Sequence, residues 1–252
     1  MIITTTVNDA RRLGHHEAMS VGAAEYQRFI DLLRTLGPQD WAQPTDCTLW
    51  DVKAVVAHNL ANMEANASVR ELVHQMRTAT ARAKASGNLM VDALTALQVS
   101  ERAALTPAEL VSRIEATAPR AIKGRRRVPA PMRRLVKIGA PPPFGTMTLG
   151  FLIDTIYNRD MWMHRVDICR ATGREMSLDA EHDGRLVAEI VGDWAANHRQ
   201  PYDLVLDGPA GGRFGHGAGG EQLQLDAVEF CRIVSGRDAS DVPGLLTTQV
   251  LY

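Results

Sequence analysis

Residues 158–167 read NRDMWMHRVD, with an aspartate and a histidine four positions apart, Asp160 and His164, and a second aspartate at 167. On a helix a spacing of four places two side chains one turn apart on the same face. Setting residues 149–171 at about 100° per residue gathers Leu149, Ile153, Ile156, Asp160, His164, Asp167 and Ala171 into one stripe. The face is otherwise apolar, so its carboxylates need a compensating charge, because an isolated carboxylate in an apolar site is costly. A bound divalent cation is one compensation. A satisfied polar network is another, with Asp160 paired to an arginine and His164 hydrogen-bonded to Asp167. Both readings fit this helix alone.

A metal would need a third ligand, and the stretch WDVKAVVAHNLANM supplies His58. Val52, Val55, Val56, Asn59 and Met63 recur there at helical spacing, and His58 flanks their stripe. Its neighbours at i−4, i+3 and i+7 are Ala54, Ala61 and Ala65, small enough to leave room beside the imidazole. A lone histidine at such a place also reads as an interfacial core residue. Taken together, inward-facing side chains from two bundle helices can converge on one metal. Three protein ligands, His58, Asp160 and His164, would leave coordination positions open for water or substrate, as catalytic sites do, with Asp167 orienting a ligand.

These residues require elements to hold them. Periodicity predicts helix one from Glu17 to about Leu36, stopped by Gly37-Pro38, and helix two from Trp50 to beyond Val73. A third helical region spans about 88–118, with Thr106-Pro107 starting a fresh turn inside it. The prolines and glycines of 120–145 predict a long loop, followed by helix four from about Thr146 to Thr172, ending at Gly173. Beyond it come a helix over about 179–197, the strand-like YDLVLDG, the glycine-rich GPAGGRFGHGAGG read as a turn, EQLQL, and a short helix from Asp226 to Gly236. The expected fold is mainly α: a four-helix bundle over 1–173 and a small α+β domain over 174–252.

With 252 residues, 45% of them hydrophobic, the chain can bury a real core. Its 28 basic and 29 acidic residues give no global argument for nucleic acid, membrane surface or polyanion. The acid-free run IKGRRRVPAPMRRLVK has no interleaved aromatic residue, so it reads as a solvated loop or an anion-attracting rim rather than a nucleic-acid site. No run of about 18 apolar residues occurs, and the N-terminus lacks the apolar core of a secretory signal, so a soluble, cytoplasmic protein is expected. Cys47, Cys169 and Cys231 form no CxxC pair and predict reduced, mostly structural thiols. Trp50, Trp162 and Trp194 are expected to be packing residues.

The stretch PTDCTLWDVKAVVAHNLANM resembles the N-terminal signature of the DinB/YfiT-like bundles, of the mycothiol-dependent maleylpyruvate isomerase type. RDMWMHRVDICRATGRE is similar to that family's fourth helix, and LQLDAVEFCRIVSGR to the end of its sterol-carrier-like C-terminal domain. The resemblance implies a metal site at His58, Asp160 and His164, most simply for zinc. The family's usual carboxylate ligand is glutamate, where this chain has the shorter Asp160.

The resemblance further implies an enzyme whose metal activates the thiol of mycothiol, the low-molecular-weight thiol of actinobacteria. A metal with an open position lowers a bound thiol's pKa. As an isomerase, the thiolate would add to a conjugated cis double bond, the adduct would rotate, and elimination would release the trans isomer. As an S-transferase, the thiolate would stay on the electrophile. Arg237, in SGR, matches the family's arginine that reaches toward the site, where it would clamp a substrate carboxylate; a helix C-terminal arginine favouring the macrodipole is the plainer reading. The non-enzymatic alternative is a ligand-binding or regulatory module with a purely structural polar cluster.

Overall fold

The computed structural model describes residues 10–237 and 242–252; most of the N-terminal stretch in which no secretory signal is expected, residues 1–9, lies outside the described residues. The chain divides into two compact units, residues 15–175 and residues 176–252 joined by residues 10–14. The N-terminal segment therefore goes with the C-terminal unit rather than the bundle. Local contacts explain this: Leu13 N donates to Glu189 at 2.9 Å, Arg12 bonds Asp193 at 2.8 Å, and Ala10 packs on Gly192, where a Cβ would meet Ala10 O at 2.0 Å.

In the first unit, α1 (His15–Arg34), α2 (Val52–Ala67), α5 (Pro107–Arg126) and α8 (Tyr157–Ala171) form the expected bundle, α1 and α2 each packing on α5 and α8. The expected second helix stops early. Ser68 is extended, with φ −144° and ψ 117°, and its side chain accepts from Glu71 N, so a separate helix α3 (Val69–Ser86) begins there. α3 and α4 (Met90–Ser100) form a hairpin against α2, with Ala79, Ala93 and Leu97 buried between them. Thr106 caps α5 in a reciprocal capping box with Glu109, and Pro107 takes the first turn, where its missing N–H costs nothing.

The predicted long loop over 120–145 is largely ordered structure. α5 runs through Pro119 to Arg126, then come α6 (Ala130–Leu135) and an antiparallel hairpin of β1 (Lys137–Gly139) and β2 (Thr146–Thr148). One of its arginines belongs to the core: Arg125 is fully buried and donates to Asn158 Oδ1 at 2.7 Å and to Ile153 O at 2.5 Å. The final bundle helix begins later than predicted, at Leu149, where Thr148 caps a short α7 (Leu149–Phe151). A π-helical turn, Leu152–Ile156, then re-phases the chain before α8. Such turns insert a residue into the helical register and are frequent at functional sites. The stripe holding Asp160, His164 and Asp167 is thus in phase with itself but not with Leu149.

The second unit is the small α+β module expected. β3 (Tyr202–Asp207) is central, paired antiparallel with β4 (Gly212–His216) and parallel with β5 (Glu221–Asp226). α9 (Asp183–His198) and α10 (Ala227–Val234) supply Trp194 and Phe230, whose rings meet edge-on at 5.4 Å. Part of the glycine-rich segment read as a turn is strand β4, because Phe214 is buried opposite Leu204. Gly211 and Gly220 flank it at places where a Cβ would lie 2.0 and 2.2 Å from neighbouring backbone.

Candidate metal centre

Asp51 caps α2 by accepting from Ala54 N at 2.8 Å, and His58 follows on the second turn, facing α8. Within the first unit the structure brings His58, Asp160 and His164 together: one ligand atom from each lies within 4.8 Å of the others. His58 Nε2 stands 3.4 Å from Asp160 Oδ2, and His164 Nε2 stands 3.4 Å from Asp160 Oδ1. The ion-pair partners of Asp160 are thus imidazoles, not the arginine of the purely structural reading. Both rings are buried, while the Asp160 side chain keeps 25% of its surface, so the cluster is open on the carboxylate side.

The far nitrogen of each ring has its own partner. His164 Nδ1 lies 3.0 Å from Asp167 Oδ2, and His58 Nδ1 lies 2.8 Å from Gln98 Oε1. A carboxylate can only accept, so His164 Nδ1 carries a proton and its Nε2 offers either a lone pair or a second proton toward Asp160. Two imidazole nitrogens aimed at one carboxylate from 3.4 Å, too far for good hydrogen bonds, fit a divalent cation between them.

Burial pushes the Asp160 carboxyl up, but the His164 and His58 imidazoles beside it outweigh this and hold the pKa far below the carboxylate range. Burial likewise opposes charging His164, but Asp160, then Asp167 and Cys47, raise its pKa well above 6.5. Both shifts favour an imidazolium at His164 beside a carboxylate at Asp160. The raised pKa of His164 contributes stability present below about pH 6.5 and lost as pH rises through the folded value; the depressed Asp160 contributes stability present above about pH 3.8 and lost as pH falls through its own. A metal ion held by His164 Nε2 would have to displace the proton there. Calorimetry at pH 7 in buffers of differing ionisation enthalpy should therefore find about one proton released per metal bound, with affinity rising with pH.

Two residues from the loop before α2 stand closer to the cluster than spacing could show. Cys47, read as one of the mostly structural thiols, donates to Asp167 Oδ2 at 3.5 Å and lies 3.9 Å from His164 Nδ1. The loop before α2 folds back through a Pro44–Asp51 bridge, which no helical periodicity encodes. Trp50 does more than pack: its ring stands 5.0 Å from that of His58 and 6.1 Å from that of His164, walling one side of the cluster. Asn62, one turn after His58, was also missed; its amide lies 3.2 Å from His58 Nε2. Arg237 follows α10 in the second unit, where its guanidinium donates to Ser235 Oγ at 3.1 Å.

The family model for the mycothiol maleylpyruvate isomerase N-terminal domain matches residues 23–169, more than half of the 252-residue chain. The chain belongs to this family. The match spans α2 and α8, and hence all three clustered residues of this maleylpyruvate isomerase-type domain. Two solved structures, of the mycothiol-dependent maleylpyruvate isomerase and of a histidine-to-alanine mutant of it, are similar in fold. Each has TM-score 0.57 and 15% identity, covering 95% of this chain and 98% of that one. No curated protein matches the chain. Among the described residues no helix is long and apolar enough to cross a membrane.

Proposed function

We propose that this protein is a metal- and mycothiol-dependent enzyme of the maleylpyruvate isomerase type, catalysing isomerisation or S-transfer on a small electrophile. The observation that carries the reading is the pair of buried imidazoles whose Nε2 atoms converge on Asp160 inside a domain of that family. His58, Asp160 and His164 would hold the ion, zinc being the simplest choice for two nitrogens and a carboxylate. Bound there, the ion would lower the pKa of the mycothiol thiol, so that the sulfur nucleophile comes from the cofactor.

The chain's own groups orient and enclose. Asp167 keeps the proton of His164 on Nδ1, and Trp50 shields the two rings from water on one side. Thiol and electrophile would enter from the side on which Asp160 keeps a quarter of its surface exposed. Asp160, one methylene shorter than glutamate, would be the carboxylate that holds the cation. From the second unit, read as a sterol-carrier-like domain, Arg237 is assigned to a substrate carboxylate, for which its planar fork suits bidentate contact.

The test is conjugation of mycothiol to a reactive electrophile. A thiol of pKa about 8.5 is only a few per cent ionised at pH 7, so full ionisation at the site gives a rate gain on the order of thirtyfold. That gain should vanish in metal-free protein. No acceleration by the metal-loaded protein would favour a ligand-binding or regulatory module.

A further inference from the structure

His58 can serve as a ligand through Nε2 only if that atom carries a lone pair, which requires the ring proton to sit on Nδ1. What decides this lies behind the ring, on the α3–α4 hairpin. Arg102 is buried and donates from Nη2 to Glu71 Oε1 at 2.9 Å and to Glu64 Oε2 at 2.5 Å. Gln75, also buried, donates its amide to the same Glu71 oxygen at 2.9 Å and to Ala61 O at 3.1 Å. Both partners only accept, so the Gln75 nitrogen must face them and its oxygen must face away.

That oxygen meets the amide nitrogen of Gln98 at 2.9 Å, which also donates to Asn62 Oδ1 at 3.0 Å. With both amide hydrogens of Gln98 so placed, its Oε1 is left to face His58 Nδ1 at 2.8 Å. Asn62, accepting through Oδ1, turns its own amide to His58 Nε2 at 3.2 Å, nearer than Asp160 Oδ2 at 3.4 Å, and this nearer donor calls for a lone pair there. Every link has a single allowed sense, set at the far end by a guanidinium that cannot accept and a carboxylate that cannot donate. Burial pushes the Glu71 carboxyl up, but Gln75 and Arg102 outweigh it and keep its pKa below the usual value, so the acceptor stays ionised.

We propose that Gln98, oriented through Gln75 by the Glu71–Arg102 pair, is a positioning residue that locks His58 in the Nδ1–H tautomer and so presents the Nε2 lone pair to the metal centre. Resting on the metal-site reading given above, this adds to it a chain of side chains from α3 and α4, absent from the motifs that point to the ligands. A buried amide relay of this kind has no tolerance for reversal: flipping the Gln98 amide would set its hydrogens against His58 Nδ1–H and its oxygen against Gln75 Oε1.

The experiment is long-range 1H–15N correlation of the full-length protein labelled at histidine, metal-free, in wild type, Gln98→Met and Gln98→Glu, with zinc affinity measured on each by competition with a chelating dye. Wild type should show the His58 proton on Nδ1. Gln98→Met, near-isosteric but without the acceptor, should give a mixed tautomer and zinc affinity lower by about ten- to a hundredfold. Gln98→Glu keeps an acceptor at Nδ1 while losing both amide donors, so it should retain the Nδ1–H signal; a merely structural Gln98 would be hurt as much by this change as by methionine. An Nε2–H tautomer in wild type, or an unchanged tautomer in Gln98→Met, would overturn the proposal. The tautomer is read without metal, so a wild type that shows the Nδ1–H form, dependent on Gln98, but binds no zinc would refute the metal reading and leave the positioning role standing.

Discussion

Alanine at His58 or at His164 should lower divalent-metal affinity by more than about a hundredfold, since loss of even a ligand's hydrogen-bond partner costs about 10- to 100-fold. Each ring is buried and contributes one of the two imidazole nitrogens that face Asp160. Removing either leaves one imidazole and one carboxylate, too few for a stable site of this type. Elemental analysis of protein purified without a histidine tag is the measurement: about one metal per wild-type chain and little in either variant. The far-UV spectrum should be unchanged, because α2 and α8 are held by their apolar neighbours Val55, Leu60, Met63, Trp162 and Val166. Full metal content in both variants would exclude this site.

Gly124→Ala should lower stability by about 3 kcal/mol, at the upper end of the cost of overpacking. A Cβ there would lie 1.8 Å from Asn66 O, a backbone atom of α2 that cannot swing aside, so α5 and α2 would have to part. For a chain of this length the loss corresponds to a fall in Tm of roughly 6–12 °C, read by calorimetry. Gly139→Ala is the control: a Cβ there meets nothing within 4 Å, and the change should stay within about 0.5 kcal/mol. Equal midpoints for the two variants would contradict the close approach of α2 and α5.

The mainly α bundle was legible because its helices have one buried face each and so print a 3.6-residue period on the sequence. The same period revealed Asp160, His164 and Asp167, since polar residues inside an apolar stripe stand out, and it placed His58 beside alanines. The breaks were legible only in part. Thr106-Pro107 announces α5, whereas Ser68 interrupts a pattern that runs through it, because one capping side chain can outweigh a continuing periodicity. Proline and glycine density suggested a loop over 120–145, yet the buried Arg125 guanidinium, which donates to Asn158 and Ile153, holds the first part of it in α5.

By itself, then, the sequence determined which side chains could meet a metal, through spacings inside α2 and α8. Only the tertiary structure decided which ring nitrogens face Asp160 and what stands behind them. Gln75 and Gln98 belong to different helices, and Cys47 and Trp50 to a loop, so no period relates them to His58 or His164. Their hydrogen bonds and ring contacts come from the packing of a hairpin and a turn against the bundle. A helix encodes its own faces locally, but the tautomer of a buried histidine is set by donors and acceptors that arrive from elsewhere in the chain.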